Sequence, residues 1–328
     1  NEILLKTQEV KAIVSDVKKL SNIEEKLVTM NSSIDSSINR QRQEFDKKIS
    51  RTISNTIAKT LPRKTIEHLD YHLTEHCNLN CVGCSTFAPI ADKKFAELSS
   101  FEQDIKKLYD LIGDSVQQIH LLGGEPLLHP QAAEFAHICR SVFKNTRIDL
   151  TTNGLLIYDM PDSFWEILKD NDIAIKYTQY PVKFDYPKMV EYVKAKGVYV
   201  FSAGGENGIR YFRRIPLNTK GTFNMYNSFI QCPYADCAQL RDGKLFHCPA
   251  SGFSDLLNKR VHQEAEDAGI FRLSKYDYLD LYQAHSGTEI FEFLSNAIPF
   301  CQYCDMDHIN ERVKWEVSKR NIREWIDL

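Results

Sequence analysis

The sequence predicts an α/β protein built on a parallel sheet, with a long helix before the sheet and a small cysteine-rich module after it. Three observations support this prediction. Short apolar strands alternate with amphipathic helices from residue 65 to residue 203, a pattern typical of parallel sheets with right-handed crossovers. Residues 1–61 contain no Gly and no Pro and carry an apolar stripe. After about Thr219 the alternation stops, and five of the nine cysteines follow.

The first predicted element is a long helix over residues 1–61. Apolar residues recur three or four positions apart along it, for example Ile34, Ile38, Ile49, Ile53 and Ile57, which is near the coiled-coil period. A helix of this length would measure roughly 90 Å, more than one side of a globular domain covers. It therefore needs a partner. We expect a homo-oligomer formed through this helix, while a hairpin or docking on its own domain stays open.

Pro62 ends this helix, and a strand pattern begins soon after it. Leu69, Tyr71 and Leu73 alternate like a strand that leads into Cys77. Further strands are predicted at QIHLL, RIDLTT, IAIKYT and VYVFSA, which gives about five β/α units, and IRYFRRIPL is the candidate sixth strand. A final helix is predicted over HINERVKWEVSKRNIREWI. The predicted domains are residues 1–61, 62–218 and 219–328.

The composition excludes several classes of partner. Hydrophobic residues make up 43% of the chain, charged residues 26%, and the net charge is −3. This balance leaves no excess of Lys and Arg to attract nucleic acid or an anionic membrane. No apolar run suits a membrane span or a secretion signal, so we expect a cytoplasmic protein. In a reducing compartment, clustered thiols are more often metal ligands than disulfides.

Three cysteines, Cys77, Cys81 and Cys84, lie within eight residues at the spacing C-x3-C-x2-C. Three thiolates without a fourth beside them can bind zinc with an open position, or an iron-sulfur cluster with one iron bare. The next predicted strand ends in GGEP (123–126), and the one after it in TTNG (151–154). Because parallel sheets bind ligands at the carboxyl edge of their strands, we expect the three motifs to meet there.

In combination, these motifs resemble the radical S-adenosylmethionine (radical SAM) superfamily over roughly residues 65–215. The resemblance implies a partial (β/α)6 radical SAM barrel in which the three cysteines hold a 4Fe-4S cluster. It implies that the bare iron binds S-adenosylmethionine and that Gly123, Gly124 and Glu125 meet its methionine amino group. One electron, from a low-potential donor such as flavodoxin or ferredoxin, would release a 5′-deoxyadenosyl radical that abstracts hydrogen from a substrate.

Three further residues are candidates for contacts with S-adenosylmethionine. The family commonly has an aromatic residue before its third cysteine that packs against adenine, but this sequence has Gly83 there. Phe87 is the candidate replacement for the adenine contact. Asn153 and Thr178, near later strand ends, are candidates for the ribose or the carboxylate.

A second candidate metal site lies in the C-terminal module, with the pattern C-x10-G-x4-C followed by C-x2-C. It resembles the twitch and SPASM extensions of radical SAM enzymes, which house an auxiliary iron-sulfur cluster. One 4Fe-4S cluster takes four thiolates, and five are present: Cys232, Cys237, Cys248, Cys301 and Cys304. The spacing favours Cys232 over Cys237 as the fourth ligand. Zinc in the same tetrathiolate is the alternative, because spacing does not distinguish the two metals.

The resemblance predicts a radical SAM enzyme, of oxidoreductase or epimerase type, that acts on a sugar-like or nucleotide-linked small molecule. Residues 1–61 show no β-hairpin pattern of a winged-helix peptide-recognition element, which favours the small molecule over a peptide. The enzyme alternative is a maturase that modifies a protein recruited by the N-terminal helix. The alternative from another class is a non-catalytic coiled-coil scaffold whose barrel binds a metal or S-adenosylmethionine.

Three arginines close to the end of the predicted barrel complete the candidates. Arg210, Arg213 and Arg214 lie in the sequence IRYFRRIP. Their guanidinium groups suit a phosphate or carboxylate of the substrate. A solvated edge with no ligand is the alternative interpretation.

Overall fold

The computed structural model of the protein describes residues 2–204, 208–264 and 269–327. The chain divides into two compact units, residues 1–58 and residues 59–328. Among the helices of the described residues, none combines the length and the apolar character that a membrane crossing requires.

The first unit consists of one helix. Helix α1 runs over Glu2–Thr60, as the absence of Gly and Pro predicts. Large apolar side chains along it are 41–62% exposed, namely Leu27, Ile34, Ile38, Phe45, Ile49 and Ile53. The predicted helix is confirmed, and the predicted homo-oligomer stays a prediction.

Five parallel strands joined by four helices form the centre of the second unit, as the alternation predicts. The strands are β1 (Ile66–Thr74), β2 (Val116–Gly123), β3 (Arg147–Thr152), β4 (Ala174–Tyr177) and β5 (Val200–Ser202). The helices between them are α2 (Leu98–Ile112), α3 (Ala132–Val142), α4 (Asp162–Asp170) and α5 (Tyr186–Ala195). One face of the sheet packs with these helices in a single hydrophobic core, in which Leu69, Leu121 and Leu150 are fully buried.

The sixth parallel strand comes from beyond the alternating region. Strand β7 (Cys237–Arg241) pairs in parallel with β1, and β8 (Lys244–Phe246) and β9 (Tyr278–Asp280) extend the sheet in antiparallel fashion. The resulting strand order is β5-β4-β3-β2-β1-β7-β8-β9. The predicted fold class, a mixed α/β fold with a partial barrel, is thus confirmed.

The prediction of a sixth barrel strand in IRYFRRIPL is wrong. Its strand β6 (Tyr211–Arg213) pairs with β10 (Arg312–Lys314) in a separate antiparallel ribbon. A strand inside a parallel sheet is buried on both faces and needs apolar residues on both. Tyr211 and Arg213 are polar at alternate positions, so one face of this strand stays in solvent.

A second hydrophobic core lies beside the sheet. The remaining helices are α6 (Met225–Gln231), α7 (Pro249–Gly252), α8 (Ser254–Glu264) and α9 (Gly287–Ser295). Residues of α7 and α8 form this core with the segment after residue 298, around Phe253, Phe300 and Trp325. Phe87, which follows the first three cysteines, belongs to the same core. The C-terminal segment therefore packs against the region of the cysteine loop.

The helix predicted over HINERVKWEVSKRNIREWI does not form. A short 3-10 helix, Met306–His308, ends at the first residue of the segment, and β10 and a second 3-10 helix, Ile322–Glu324, follow within it. Arg320 has a φ of 59°, a left-handed conformation that a continuous α-helix does not accommodate. Pairing of β10 with β6 requires an extended chain, and Trp325 is buried at 2% exposure in the second core. Tertiary contacts thus override the local helical pattern.

Candidate active site

The three sequence motifs meet at the carboxyl edge of β1, β2 and β3, as predicted. The cysteine loop begins after Thr74, whose carbonyl accepts a hydrogen bond from the Gly124 N–H at 2.9 Å. Asn153 Nδ2 donates to Asn78 Oδ1 at 2.7 Å and lies 3.8 Å from Cys77 Sγ. The strand end that carries Asn153 therefore reaches the cysteine loop directly.

Gly123 and Gly124 allow the end of β2 to lie against the start of the cysteine loop. A Cβ atom on Gly124 would lie 2.0 Å from the His76 carbonyl oxygen, and one on Gly123 would lie 2.2 Å from the Thr74 carbonyl oxygen. Both distances are far below van der Waals contact, so only glycine fits where the two backbones approach. This contact fixes the position at which the loop leaves β1.

The Glu125 carboxylate joins the ends of β2 and β3. It is fully buried. Oε1 accepts from Thr152 Oγ1 at 2.6 Å and from Leu127 N at 3.1 Å, and Oε2 accepts from Asn153 N at 2.9 Å. Burial raises its pKa to about 7, and the three hydrogen bonds oppose that rise. Because protein donors already engage the carboxylate, its contact with the methionine amino group stays a prediction.

The three thiols of the loop lie within electrostatic reach of one another. Cys81 is buried, whereas Cys77 and Cys84 are partly exposed. Burial raises the pKa of Cys77 to about 11 and that of Cys81 to about 12, and the charge of Cys84 adds to both. Burial also raises the pKa of Tyr180, and all three cysteines contribute to that rise. A metal bound here must therefore displace the thiol protons.

Two tryptophans from the C-terminal segment hold the cysteine loop, and neither was among the predicted site residues. Trp315 Nε1 donates to Cys81 Sγ at 3.1 Å, and Trp325 Nε1 donates to the Cys84 carbonyl at 2.8 Å. The segment carries two of the three tryptophans of the chain. A buried indole N–H usually finds an acceptor, but the sequence does not indicate which residue that acceptor is.

The structure separates the three remaining candidates for cofactor contacts. Asn153 and Thr178 lie at the carboxyl edge and are 5% and 9% exposed, and the Thr178 N–H donates to the Thr152 carbonyl at 2.9 Å. Phe87 is fully buried, and its ring lies 6.5 Å from the Trp325 ring, edge to face. The second core leaves no surface of this ring accessible, so the structure gives no support to the adenine contact of Phe87, which stays a prediction.

Four of the five cysteines after Thr219 converge from three segments. Cys232 follows α6, Cys248 precedes α7, Cys301 lies within a 3-10 helix, and Cys304 directly follows that helix. Burial raises the pKa of Cys232 and of Cys301 to about 12, and Cys248 adds to both. Burial and the other three thiols hold the pKa of Cys304 well above its ordinary range.

Cys237 has a different environment. It is the first residue of β7 and pairs with His68 of β1. Burial raises its pKa to about 12, and the carboxylates of Asp70 and Asp236 contribute more to that rise than Cys232 and Cys248 do. Its closest electrostatic neighbours are therefore acidic side chains.

Both cysteine groups have the donor chemistry of a metal site. In the part of the chain that the structure describes, no three His, Cys, Asp or Glu side chains form a metal site as they stand. Thiols in such groups suit iron-sulfur clusters and zinc alike. Metal binding releases the protons of its thiol ligands, so these cysteine groups fit a site that forms on loading.

The second face of the sheet, opposite the helices α2–α5, carries a row of polar residues. Asp70, His120, Asp149 and Gln239 are neighbours across β1, β2, β3 and β7. His120 Nδ1 lies 2.9 Å from Asp149 Oδ1, and Lys176 Nζ lies 3.3 Å from His120 Nε2. Burial favours a higher pKa for Asp149, but His120 and Lys176 outweigh it and hold the pKa below its usual range.

Comparison with known families decides the class of this domain. Residues 71–183 match the family described as the radical SAM superfamily. The protein carries a radical SAM domain. The matched region contains the cysteine loop and both strand-end motifs. A radical SAM domain implies a 4Fe-4S cluster and S-adenosylmethionine as cofactors.

Curated relatives match only part of this chain. The GTP 3′,8-cyclase of Campylobacter jejuni subsp. doylei is 28% identical over 96 residues, which are 29% of this chain and 30% of that protein. The GTP 3′,8-cyclase of Chlorobaculum tepidum is 30% identical over 107 residues, which are 31% of this chain and 30% of that protein. The chain thus spans about three tenths of the length of these relatives.

Solved structures of similar proteins include BtrN in complex with AdoMet and 2-DOIA. That match is 15% identical, covers 73% of this chain and 93% of BtrN, and has a TM-score of 0.44. Streptococcus suis SuiB bound to S-adenosylmethionine is 18% identical, with 44% of this chain and 35% of SuiB covered and a TM-score of 0.35. Similarity at this level does not identify a substrate.

Proposed function

We propose that this protein cleaves S-adenosylmethionine reductively at a 4Fe-4S cluster held by Cys77, Cys81 and Cys84. The 5′-deoxyadenosyl radical would then abstract hydrogen from a small polar molecule. The observation that carries the proposal is the meeting of the cysteine loop with the ends of β2 and β3 at one edge of the sheet. A cluster bound here supplies the electron that breaks the sulfonium bond.

The residues around the loop would orient these groups. Gly123 and Gly124 fix the start of the loop through their close approach to β1. The Trp315 N–H group donates to Cys81 Sγ, and such a bond favours the thiolate over the thiol. Asn153 presents its amide next to Cys77, where it suits a polar group of the cofactor.

A second cluster in the C-terminal region is part of the proposal. Cys248 adds to the rise in pKa of Cys232, Cys301 and Cys304, and Cys232 adds to that of Cys301 and Cys304. This coupling supports the four cysteines as one ligand set. Cys237 is coupled mainly to Asp70 and Asp236, which supports leaving it out. Zinc bound by the same four thiolates remains the alternative.

The polar row on the inner face of the sheet supports a substrate rich in hydroxyl or amino groups. Asp70, His120, Asp149 and Lys176 lie on the face that a partial barrel turns towards its interior. Burial raises the pKa of Asp70, and Gln239 Nε2 donates to it at 2.8 Å. Such groups recognise sugar-like molecules or a nucleotide ribose by hydrogen bonding. Relatives named GTP 3′,8-cyclase act on a nucleotide by name, which agrees with the nucleotide-linked class.

The test is anaerobic reconstitution followed by reaction with S-adenosylmethionine and dithionite. We expect 5′-deoxyadenosine, and about eight iron and eight sulfide per chain if both clusters form. A Cys77→Ala/Cys81→Ala/Cys84→Ala variant should form no 5′-deoxyadenosine and retain about four iron. No 5′-deoxyadenosine from the loaded parent with any of a panel of aminocyclitols, sugar nucleotides and nucleoside triphosphates contradicts the proposal. Zinc and about four iron in the parent would point to the zinc alternative.

Helix α1 gives the maturase alternative its support. Its exposed apolar side chains, such as Ile34, Ile38 and Phe45, form a surface that a protein partner or a second copy could cover. Replacing these three residues by Ser in the full chain distinguishes the two roles. Loss of oligomerisation with unchanged turnover of a small molecule supports self-association. Loss of a specific protein from a pull-down, together with loss of its modification, supports the maturase.

A further inference from the structure

The ribbon formed by β6 and β10 carries positive charge on its outer face. Arg213 is directly opposite Arg312, and Tyr211 is directly opposite Lys314. All four side chains are exposed. Like charges directly opposite each other on paired strands repel and reduce stability. Within the described residues, none of these three cations has a carboxylate within ion-pair distance.

Arg214, next to Arg213 in the chain, differs from these three cations because a carboxylate compensates its charge. Arg214 Nη2 donates to both carboxylate oxygens of Asp327, at 2.7 Å and 2.9 Å. The chain as a whole has a net charge of −3, so the cationic face does not follow from its composition. Three uncompensated cations thus share one face of one ribbon, which we call the ribbon face (Arg213, Arg312 and Lys314).

The other side of the ribbon connects to both cysteine groups. Trp315 follows β10 directly and donates to Cys81 Sγ, and Cys81 also forms a backbone bridge with Val317. The Tyr234 hydroxyl donates to the Arg213 carbonyl at 3.1 Å, while the Tyr234 N–H donates to Cys232 Sγ at 3.4 Å. The ribbon is thus linked to the first cysteine group through Trp315 and to the second through Tyr234.

We propose that the ribbon face is the docking surface for an acidic one-electron carrier protein. The inference rests on the proposed function, because the docked carrier would deliver the electron that the cysteine-bound centre requires. One electron leaves the reduced cofactor of the carrier, which is thereby oxidised, and the centre held by Cys77, Cys81 and Cys84 is reduced. No proton or leaving group takes part in this step.

A carrier protein fits this surface better than a small anion does. The cations lie on an exposed two-stranded ribbon, where solvent and salt screen a single phosphate or carboxylate strongly. A large acidic surface engages several of these charges at once and is guided to them over a longer range. The location beside the cysteine loop, and not merely the charge, is what favours an electron donor.

The test compares two double variants of the full, iron-loaded protein. Arg213→Glu/Arg312→Glu reverses the ribbon face, and Lys144→Glu/Lys188→Glu makes the same change in net charge elsewhere. Lys144 and Lys188 are exposed. Lys144 precedes β3, at the edge of the sheet opposite the cysteine loop, and Lys188 lies in α5. Each protein is assayed for 5′-deoxyadenosine with dithionite and with reduced flavodoxin, and for affinity towards oxidised flavodoxin at low and high salt.

We expect the ribbon-face variant to lose at least about tenfold of its flavodoxin-driven rate and affinity at low salt. Its rate with dithionite should stay within about twofold of the parent, and the lysine control should resemble the parent in every assay. Parent-like flavodoxin affinity in the ribbon-face variant would overturn the inference. If the parent makes no 5′-deoxyadenosine even with dithionite, the proposed function fails, and the affinity measurement still judges the docking surface.

Discussion

The two cysteine groups differ in how the chain builds them. Cys77, Cys81 and Cys84 lie within eight residues on one loop, and their relative positions depend mainly on the backbone of that loop. Cys232, Cys248 and Cys304 come from separate segments that meet only when the second core is formed. The first group is thus a local feature that the rest of the chain supports, whereas the second group is itself a product of tertiary folding. Loss of metal should therefore affect the two groups differently.

The largest change in metal content and stability should come from Cys304→Ala. Cys304 is buried, and its carbonyl accepts a hydrogen bond from the Ser228 hydroxyl at 2.7 Å, which joins α6 to the C-terminal segment. We expect loss of about four iron per chain and a fall in Tm of at least about 5 °C, because metal bound to the folded state contributes to its stability. Iron analysis and anaerobic calorimetry measure both changes.

Cys237→Ala is the matched control for this prediction. Cys237 is partly buried, and Asp70 and Asp236 raise its pKa more than the neighbouring thiols do. The control should keep the full iron content and lose at most about 1 kcal/mol of stability. Loss of about four iron from Cys237→Ala together with retention in Cys304→Ala would instead place Cys237 in the ligand set and remove Cys304 from it.

An intermediate effect is expected from Gly124→Ala, which tests the support of the first group. The added Cβ would lie 2.0 Å from the His76 carbonyl oxygen, so the start of the cysteine loop must move. Overpacking of this kind costs about 1–3 kcal/mol, and we expect a loss of about 10- to 100-fold in 5′-deoxyadenosine formation. Timed assays with dithionite as reductant measure this loss.

Gly252→Ala separates a local clash from the general effect of replacing a glycine. Its added Cβ would meet its nearest neighbour, Gln239 Cβ, at 3.5 Å, which is ordinary contact. Gly252 lies in α7, next to the second cysteine group. A parent-like rate is expected for this control. Equal losses in both variants would show that the clash at His76 is not the cause.

The last prediction concerns the pH dependence of the free energy of unfolding through Glu125. Burial raises the pKa of this carboxyl to about 7 from an ordinary 4.5, so the folded state holds the proton more tightly than the unfolded chain does. The free energy of unfolding should therefore fall as pH rises from about 4.5 to about 7, by up to about 3 kcal/mol. Glu125→Gln should remove this slope in the metal-free protein.

Denaturant unfolding of both proteins at several pH values measures the slope. The amide that Glu125→Gln introduces leaves one backbone donor without an acceptor, so the variant should also be less stable below about pH 5, by about 1–3 kcal/mol. The difference in slope is the decisive quantity, because it does not depend on that constant loss. Parallel curves for the two proteins would show that Glu125 titrates normally in the folded state.

The sequence predicted the parts of the fold that depend on local pattern. Strands β1 to β5 and the helices between them follow from periodicity, which each segment carries by itself. The sequence did not predict β7 as a strand of this sheet. It is only five residues long, and its local pattern does not indicate that it pairs with β1. The C-terminal helix was predicted wrongly for a related reason. Its apolar spacing is helical, but the pairing of β10 with β6 decides the structure.

The same distinction holds for the candidate site. The cysteine loop and the GGE and TNG motifs could be placed together because parallel strands share one carboxyl edge. Phe87 was assigned from its nearness in sequence to Cys84, and nothing local indicates that Trp325 packs against it. The hydrogen bond from Trp315 to Cys81 Sγ joins residues 234 positions apart, so no short motif could reveal it.

That separation has a consequence during protein synthesis. The cysteine loop leaves the ribosome long before Trp315 and Trp325, which follow their partners by 234 and 241 residues. At about 5–20 residues per second, the delay is on the order of 10–50 s. For that time the nascent chain carries its three thiols without the indole groups that anchor them. The order of translation thus makes final closure of this loop a late event, after most of the parallel sheet has been available to fold.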